Sequence, residues 1–287
     1  MAKAGPRRPA LTDASRPATF EVEAYNERGE MVPTSIAGEH PLTLYLDKRE
    51  IVTLMTLGHA PEALVIGYLR NQGLVKSLGR IAAVQVDWET DSAAVTTRGA
   101  AAPGLAKKMG KRTVTTGCGQ GTMYGNLMEE IDKVRLRDDV TLSDAQVVDL
   151  VEKVRRYETI YKQAGAVHGC ALAQASGPAA TEILMFIEDV GRHNAVDAIA
   201  GRMWLDGIDG SDKVFYTTGR LTSEMVIKCA QMGIPFLVSR SGLTQMGYDV
   251  ARKVGMTMLG RASGRHYLVF TGRQRLKSVL QQATAHA

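Results

Sequence analysis

Ala82, Val84, Val86 and Trp88 alternate along the chain with Ala83, Gln85 and Asp87, the period of a half-buried strand. Residues 42–46 (Leu-Thr-Leu-Tyr-Leu) and 51–57 (Ile-Val-Thr-Leu-Met-Thr-Leu) are β-rich runs of the same kind, so residues 21–98 read as a smaller, β-rich N-terminal part. One helix interrupts it. Pro61 opens a segment that places Leu64, Val65, Tyr68 and Leu69 on one face, and Gly73 stops it. His59, just ahead of that helix, reads as a solvent-facing cap residue.

Beyond residue 143 the period changes. Ser143-Asp-Ala-Gln146 has capping-box form and begins a helix with Val147, Leu150, Val151, Val154, Tyr157 and Tyr161 on its apolar face, ending near Gly165. Strand-like runs at 167–173, 182–187, 214–217 and 234–238 then alternate with helical segments. The first of these buries Val196, Ile199, Ala200, Met203 and Trp204, and the second Met225, Val226, Cys229 and Met232; a further helix follows residue 242. Two β runs, 256–259 and 267–271, precede a polar last helix. Such alternation predicts a mainly parallel, layered α/β domain over 143–287. Residues 99–142 lack a clean period and read as a mobile connector holding a cysteine loop. Residues 1–20 carry Lys3, Arg7, Arg8 and Arg16 among Pro6, Pro9 and Pro17. They read as a disordered basic tail, since the prolines would break the amphipathic helix of a transit peptide.

Composition narrows the classes. At 287 residues the chain can bury a sizeable core, as one large domain or two unequal ones. A net charge of +5 suits an anionic ligand but is too weak to argue for nucleic acid, and 6% aromatic content counts against a base-stacking platform. No run of 18 apolar residues is present, so no membrane partner is expected. The three cysteines, Cys118, Cys170 and Cys229, are an odd number without C-x-x-C spacing. A disulfide framework and a metal site are therefore not expected, and a reducing, cytoplasmic location is.

Chemistry enters at Cys118. Gly117, Gly119 and Gly121 surround it with no bulky neighbour, and Lys107, Lys108, Lys111 and Arg112 lie just upstream. A free thiol with a pKa near 8.5 is only about 3% thiolate at pH 7; nearby cations raise that fraction. Two readings stay open for this stretch: an exposed nucleophilic sulfur carrier, or a glycine-rich turn with an incidental thiol. Cys170, among Ala and Leu, reads as a buried small residue, and Cys229 as part of a helix core.

Three strand-to-helix junctions each supply an arginine with a glycine and a hydroxyl or amide: Arg192 with Gly191 and Asn194, Arg220 with Gly219 and Thr222, Arg240 with Ser241 and Gly242. Ligands of open α/β sheets gather at such strand ends, and helix N-termini present N–H groups to anions. A guanidinium at each suits a ligand with more than one phosphate. The bland alternative is that these arginines are solvated or hold Glu188, Asp189 and Glu224. His193, near Asp189 and Asp197, reads as structural before it reads as a general acid or base.

The run Glu188-Asp-Val-Gly-Arg-His-Asn-Ala-Val-Asp197 resembles the signature of the FdhD/NarQ family, the formate dehydrogenase accessory sulfurtransferases. Gly219-Arg-Leu-Thr-Ser-Glu-Met225, Gly233-Ile-Pro235 and Val238-Ser-Arg-Ser241 follow in the family's order, and Glu39-His-Pro-Leu-Thr-Leu-Tyr45 resembles its N-terminal part. The resemblance implies a cytidine-deaminase-like α/β domain without deaminase chemistry, and this chain lacks the P-C-x-x-C zinc signature. It implies a sulfurtransferase that takes persulfide sulfur from a cysteine desulfurase and passes it to the Mo-bis(molybdopterin guanine dinucleotide) cofactor, needed by formate dehydrogenase. Cys118 would carry the persulfide as the catalytic residue. The cofactor-contacting segment falls on Arg261, Ala262, Ser263, Gly264, Arg265 and His266, to which the junction residues Arg192, His193, Arg220 and Arg240 are added as cofactor-binding. A guanine nucleotide is then a surrogate ligand, and a homodimer is compatible with the sequence. Many members have C-G-x-C where this chain has Cys118-Gly-Gln-Gly121. That departure motivates the alternative of a non-catalytic cofactor-binding chaperone for formate dehydrogenase.

Overall fold

The computed structural model describes residues 8–99, 113–114, 121–122, 131–157 and 159–277. They form a mixed α/β protein divided into two compact units, each discontinuous in sequence. The first comprises Met1–Leu127, Thr159–His168 and Glu188–Gly207; the second comprises Met128–Glu158, Gly169–Ile187 and Ile208–Ala287.

In the first unit, strands β1 (Ala10–Leu11), β4 (His40–Leu46), β5 (Arg49–Thr56), β6 (Ile81–Asp87) and β7 (Ser92–Thr97) form one sheet in the order β1-β6-β7-β4-β5. Leu42, Leu44 and Leu46 alternate inward along β4 and are buried, as period-two patterning requires. β2 (Thr19–Tyr25) and β3 (Met31–Ala37) make a separate antiparallel hairpin. Residues 10–20, expected as disordered tail, are ordered. β1 pairs in parallel with β6, Ala14 N donates to Glu62 at 2.8 Å, and the Arg16 guanidinium lies over the Trp88 ring. Proline forbids helix there but not an edge strand, and Trp88 supplies the surface that holds it.

Helix α1 (Pro61–Asn71) ends as the glycine predicts, with Gly73 at φ +64°. Residues 160–164 do not continue the preceding helix. α2 (Asp144–Arg156) carries the full capping box, and α3 (Ile160–Ala164) restarts after an extended Tyr157. Thr159 caps α3, while the Glu188 carboxylate accepts from Ile160 N at 2.7 Å and Tyr161 N at 3.1 Å. Helical spacing from Val154 to Tyr161 survives the break, which is why periodicity alone runs the two together. Tyr161 is accordingly exposed rather than on a buried face.

α4 (Arg192–Asp206) groups with the first unit and crosses α1 at glycines. A Cβ on Gly67 would stand 1.7 Å from the Asp197 carbonyl oxygen, and one on Gly201 would stand 1.9 Å from that of Ala63. The helix backbones are in contact there, and no larger residue fits.

The second unit is built on a six-stranded sheet. It contains β11 (His168–Ala175), β12 (Thr181–Asp189), β13 (Lys213–Thr217), β14 (Phe236–Ser239), β15 (Thr257–Ser263) and β16 (His266–Thr271), in the order β12-β11-β13-β14-β15-β16. It is mixed rather than mainly parallel. β13, β14 and β15 are parallel, whereas β11 runs antiparallel to β13 and β16 antiparallel to β15. The short turn at Gly264 leaves no room for the crossover that parallel pairing needs, so β15 and β16 must be antiparallel. α2 packs Val147, Leu150, Val151 and Val154 against Val214, Tyr216, Phe236 and Val238 on one face, while Phe215 and Leu237, pointing the other way, are equally buried. Burial on both faces explains the unbroken apolar runs of the central strands. Where a polar last helix is expected, the described residues form a 3-10 turn, Arg273–Arg275, and a strand, β17 (Leu276–Lys277), paired with β10 (Leu142–Ser143); the rest of that expected helix lies outside the described residues.

Candidate functional site

In the second unit the register Thr217↔Ser239 and Val238↔Leu259 brings the carboxyl ends of β13, β14 and β15 to one edge. Two loops leave that edge for helices, Thr218 to Thr222 into α5 (Ser223–Gln231) and Arg240 to Thr244 into α6 (Gln245–Val254). They run side by side: Leu221 N donates to Gly242 O at 3.0 Å, and Thr244 N to Leu221 O at 3.1 Å. Hydroxyls at the strand ends tie them down. Ser239 Oγ donates to Gly219 O at 2.6 Å and accepts from Ser241 N at 2.9 Å, and Thr217 Oγ1 accepts from Gly219 N at 3.1 Å.

Arg220 and Arg240 project from these loops and are exposed. The third cation on this edge is Arg261, also exposed, whose N–H donates to Ser241 O at 2.9 Å. Arg261 has φ +54° and sits in an irregular stretch of the β15–β16 pairing between Gly260 and Ser263. A left-handed conformation costs a non-glycine residue roughly 1–2 kcal/mol. Such outliers persist at sites where a side chain must be re-aimed. Gly260 permits the approach, since a Cβ there would meet Phe270 at 3.0 Å and Ser241 O at 3.2 Å. Beyond it, Ser263 pairs with His266 across Gly264, at φ +56°, so the hairpin tip with Arg265 and His266 overhangs the same edge, while Ala262 is buried beneath it.

The helix starts complete the site. Thr244 Oγ1 caps α6 by accepting from Gly247 N at 3.2 Å. α5 has no side-chain cap, and Thr222 Oγ1 is buried without a hydrogen-bond partner. Uncapped N–H groups beside guanidinium groups give this edge the donors and positive charge that suit an anion. The field of Arg240 reaches inward: burial raises the Tyr216 hydroxyl above its ordinary value, and Arg240 and Arg155 oppose that shift.

Arg192 and His193 begin α4 in the first unit and are buried. Around them the acidic residues of the signature hold the fold. Asp189 accepts from Thr56 Oγ1 at 2.5 Å, Asn194 Nδ2 at 2.8 Å, Gly191 N at 3.2 Å and Leu57 N at 3.3 Å. Burial raises its carboxyl pKa and these bonds oppose the rise. Asp197 accepts from Asn71 Nδ2 at 2.7 Å. Glu224, named above as a possible arginine partner, pairs with Lys228 at 3.5 Å. Among the described residues no three His, Cys, Asp or Glu side chains gather as a metal site, and no helix is long and apolar enough to cross a membrane.

Cys118 lies outside the described residues, between two paired strands, β8 (Thr113–Val114) and β9 (Gly121–Thr122). Cys170 and Cys229 are both 0% exposed. Cys170 Sγ donates to Thr217 Oγ1 at 3.4 Å, and burial pushes the Cys229 thiol well above its ordinary value. Sequence reasoning missed the conformation of Arg261 and the tethering role of Ser239. For the second, a hydroxyl closing a parallel strand just before a loop is the signal to look for.

Comparison with known proteins gives a consistent result. The model of the FdhD/NarQ family matches residues 37–277. A sulfur carrier protein FdhD from Listeria innocua is 31% identical over 90% of this chain and 95% of its own length, and one from Wolinella succinogenes is 28% identical over 87% and 86%. A crystal structure of a protein assigned as a formate dehydrogenase accessory protein, from Desulfotalea psychrophila, superposes with a TM-score of 0.71. It is 25% identical, covering 91% of this chain and 100% of that one.

Proposed function

Because the chain belongs to the FdhD/NarQ family, we propose that it is a sulfur carrier that serves the maturation of formate dehydrogenase. Cys118 takes up sulfur from the persulfide of a cysteine desulfurase: its thiolate attacks the outer sulfur, the S–S bond of the donor breaks, and the donor cysteine leaves as a thiolate. The sulfur is then delivered to the Mo-bis(molybdopterin guanine dinucleotide) cofactor, whose nucleotide phosphates lie on the edge formed by Arg220, Arg240 and Arg261, with Arg265 and His266 above. The cofactor is cargo here rather than a resident group.

One observation carries the assignment of the carrier residue. Exchange between two proteins needs a thiol that a partner can touch, and two of the three cysteines in the chain have no exposed surface. Buried thiols in apolar surroundings are inert. That leaves Cys118, in its glycine-rich, cation-flanked stretch.

The test is activation of formate dehydrogenase in cells lacking their own copy of this protein. Cys118→Ala abolishes activation, and Cys170→Ala leaves it mostly intact. Full activation with Cys118→Ala would favour delivery of the cofactor without sulfur transfer, the reading that Gly121 in place of a second loop cysteine allows.

A further inference from the structure

At the opposite end of β15 from the arginine edge, the second unit holds a cavity of about 500 Å³. It lies between the end of α6 and the turn after β16, and Arg252, Arg273 and Arg275 line it together with Tyr248, Phe270 and Gln274. No lining residue is acidic. Arg261 lies five residues along the chain from Met256 in the cavity wall, so at most about 17 Å of strand separates the two. It is a separate place on the unit.

Arg275 is the unusual member. It is 4% exposed, and one guanidinium nitrogen, Nη2, donates to the Gly255 carbonyl at the end of α6. Its Nε and Nη1 are buried without a hydrogen-bond partner. A guanidinium has five N–H donors, and burying several unmet costs stability. Clamping the end of α6 needs only one of them. Burial lowers the pKa of Arg275 and the field of Asp138 opposes this, but no hydrogen bond joins the two.

The walls are rigid and preformed. Thr271 Oγ1 donates to Met256 O at 2.7 Å and accepts from Met258 N at 3.1 Å, while Thr257 Oγ1 donates to Gly272 O at 3.2 Å. A Cβ on Gly272 would meet Thr257 Oγ1 at 2.2 Å, so the turn can take no other residue without shifting. Arg252 and Arg273 are exposed at the mouth, and the Arg252 guanidinium lies 5.7 Å from the centre of the Tyr248 ring. Buried and exposed guanidinium groups beside aromatic walls match a ligand with an anionic group and a flat apolar body.

We propose that this cavity is a second anion site, which binds the phosphate group of a small organic ligand through Arg275, Arg252 and Arg273 and rests the ligand's apolar body on Tyr248 and Phe270. The site is independent of the sulfur-carrier reading.

Calorimetry on the full chain, in an Arg220→Gln/Arg240→Gln background that disables the other edge, tests it with phenyl phosphate and inorganic phosphate as probes. Phenyl phosphate should bind at one site per chain, more tightly than inorganic phosphate. Adding Arg252→Gln should weaken both probes about tenfold or more, the loss expected for one hydrogen bond to a charged group. Tyr248→Ala should weaken phenyl phosphate and leave inorganic phosphate unchanged. Arg252 and Tyr248 reach the surface, so these variants keep the fold even if Arg275→Lys does not. Absence of binding in the background protein, or binding indifferent to Arg252→Gln and Arg273→Gln, would overturn the proposal and leave Arg275 as a clamp on α6.

Discussion

Thr56 donates its hydroxyl hydrogen to the Asp189 carboxylate at 2.5 Å, across 133 residues of chain. Asp189 also takes Asn194 Nδ2, and Asn194 in turn donates to Met55 O at 2.6 Å. The acidic part of the family signature thus joins the end of β5 to the start of α4. Asp189→Ala takes the acceptor from Thr56 Oγ1, Leu57 N and Gly191 N and one of the two from Asn194 Nδ2, and one buried donor left unmet costs about 1–3 kcal/mol. We expect a loss of about 3 kcal/mol or more in urea denaturation. A change within about 0.5 kcal/mol, the range of ordinary surface substitutions, would show that the network does not hold the fold.

The α1–α4 crossing tolerates no side chain at its centre. Gly67→Ala drives a methyl group into the Asp197 carbonyl, so it should cost about 3 kcal/mol or yield insoluble protein. Gly79→Ala, where a Cβ meets nothing within 4 Å, is the matched control and should be close to neutral. Equal stability of the two variants would contradict the close approach.

Alkaline pH should weaken the fold through Cys229. Burial holds its thiol well above the ordinary value, with Cys170 adding to the shift and Lys228 opposing it. The folded chain therefore binds that proton more tightly than the unfolded chain does. The stability this contributes is full below about pH 8.5, the unfolded value, and is lost as pH rises from there toward the folded value. Urea midpoints measured from pH 8 to 10 should fall more steeply in the wild type than in Cys229→Ala. Identical slopes would mean that the thiol does not titrate with unfolding.

The arginine edge should discriminate by phosphate. Guanosine diphosphate is expected to bind and guanosine to bind much more weakly. Arg220→Ala should weaken the diphosphate about 10- to 150-fold, from the roughly 1.5–3 kcal/mol of a hydrogen bond to a charged group. Equal affinity for nucleoside and diphosphate would assign these arginines to the fold rather than to a ligand.

Much of this was legible in the chain because it is local. The capping box at Ser143 and Gln146, the alternation of Leu42, Leu44 and Leu46, and the stop at Gly73 are written within a few residues. What escaped depends on partners distant in sequence. Helical spacing carries through Tyr157 and Tyr161, yet Glu188 caps a new helix between them from 28 residues away. Gly67 and Gly201 have no local mark as a pair, so nothing in the sequence assigns α4 to the N-terminal unit. At the candidate site, glycines and arginines at strand ends pointed to Arg220 and Arg240, whereas the antiparallel hairpin at Gly264 was not read from its two β runs. Nor was the left-handed backbone of Arg261, because arginine carries no conformational signal, and only the pairing of β15 with β16 and the loop at Ser241 impose it.

The most direct test of the central claim is peptide mass analysis after incubating the protein with a cysteine desulfurase and cysteine. One extra sulfur on the peptide containing Cys118, none on those containing Cys170 or Cys229, and no uptake by Cys118→Ala are the expected results. Sulfur on Cys170 or Cys229, or undiminished uptake by Cys118→Ala, would contradict the account.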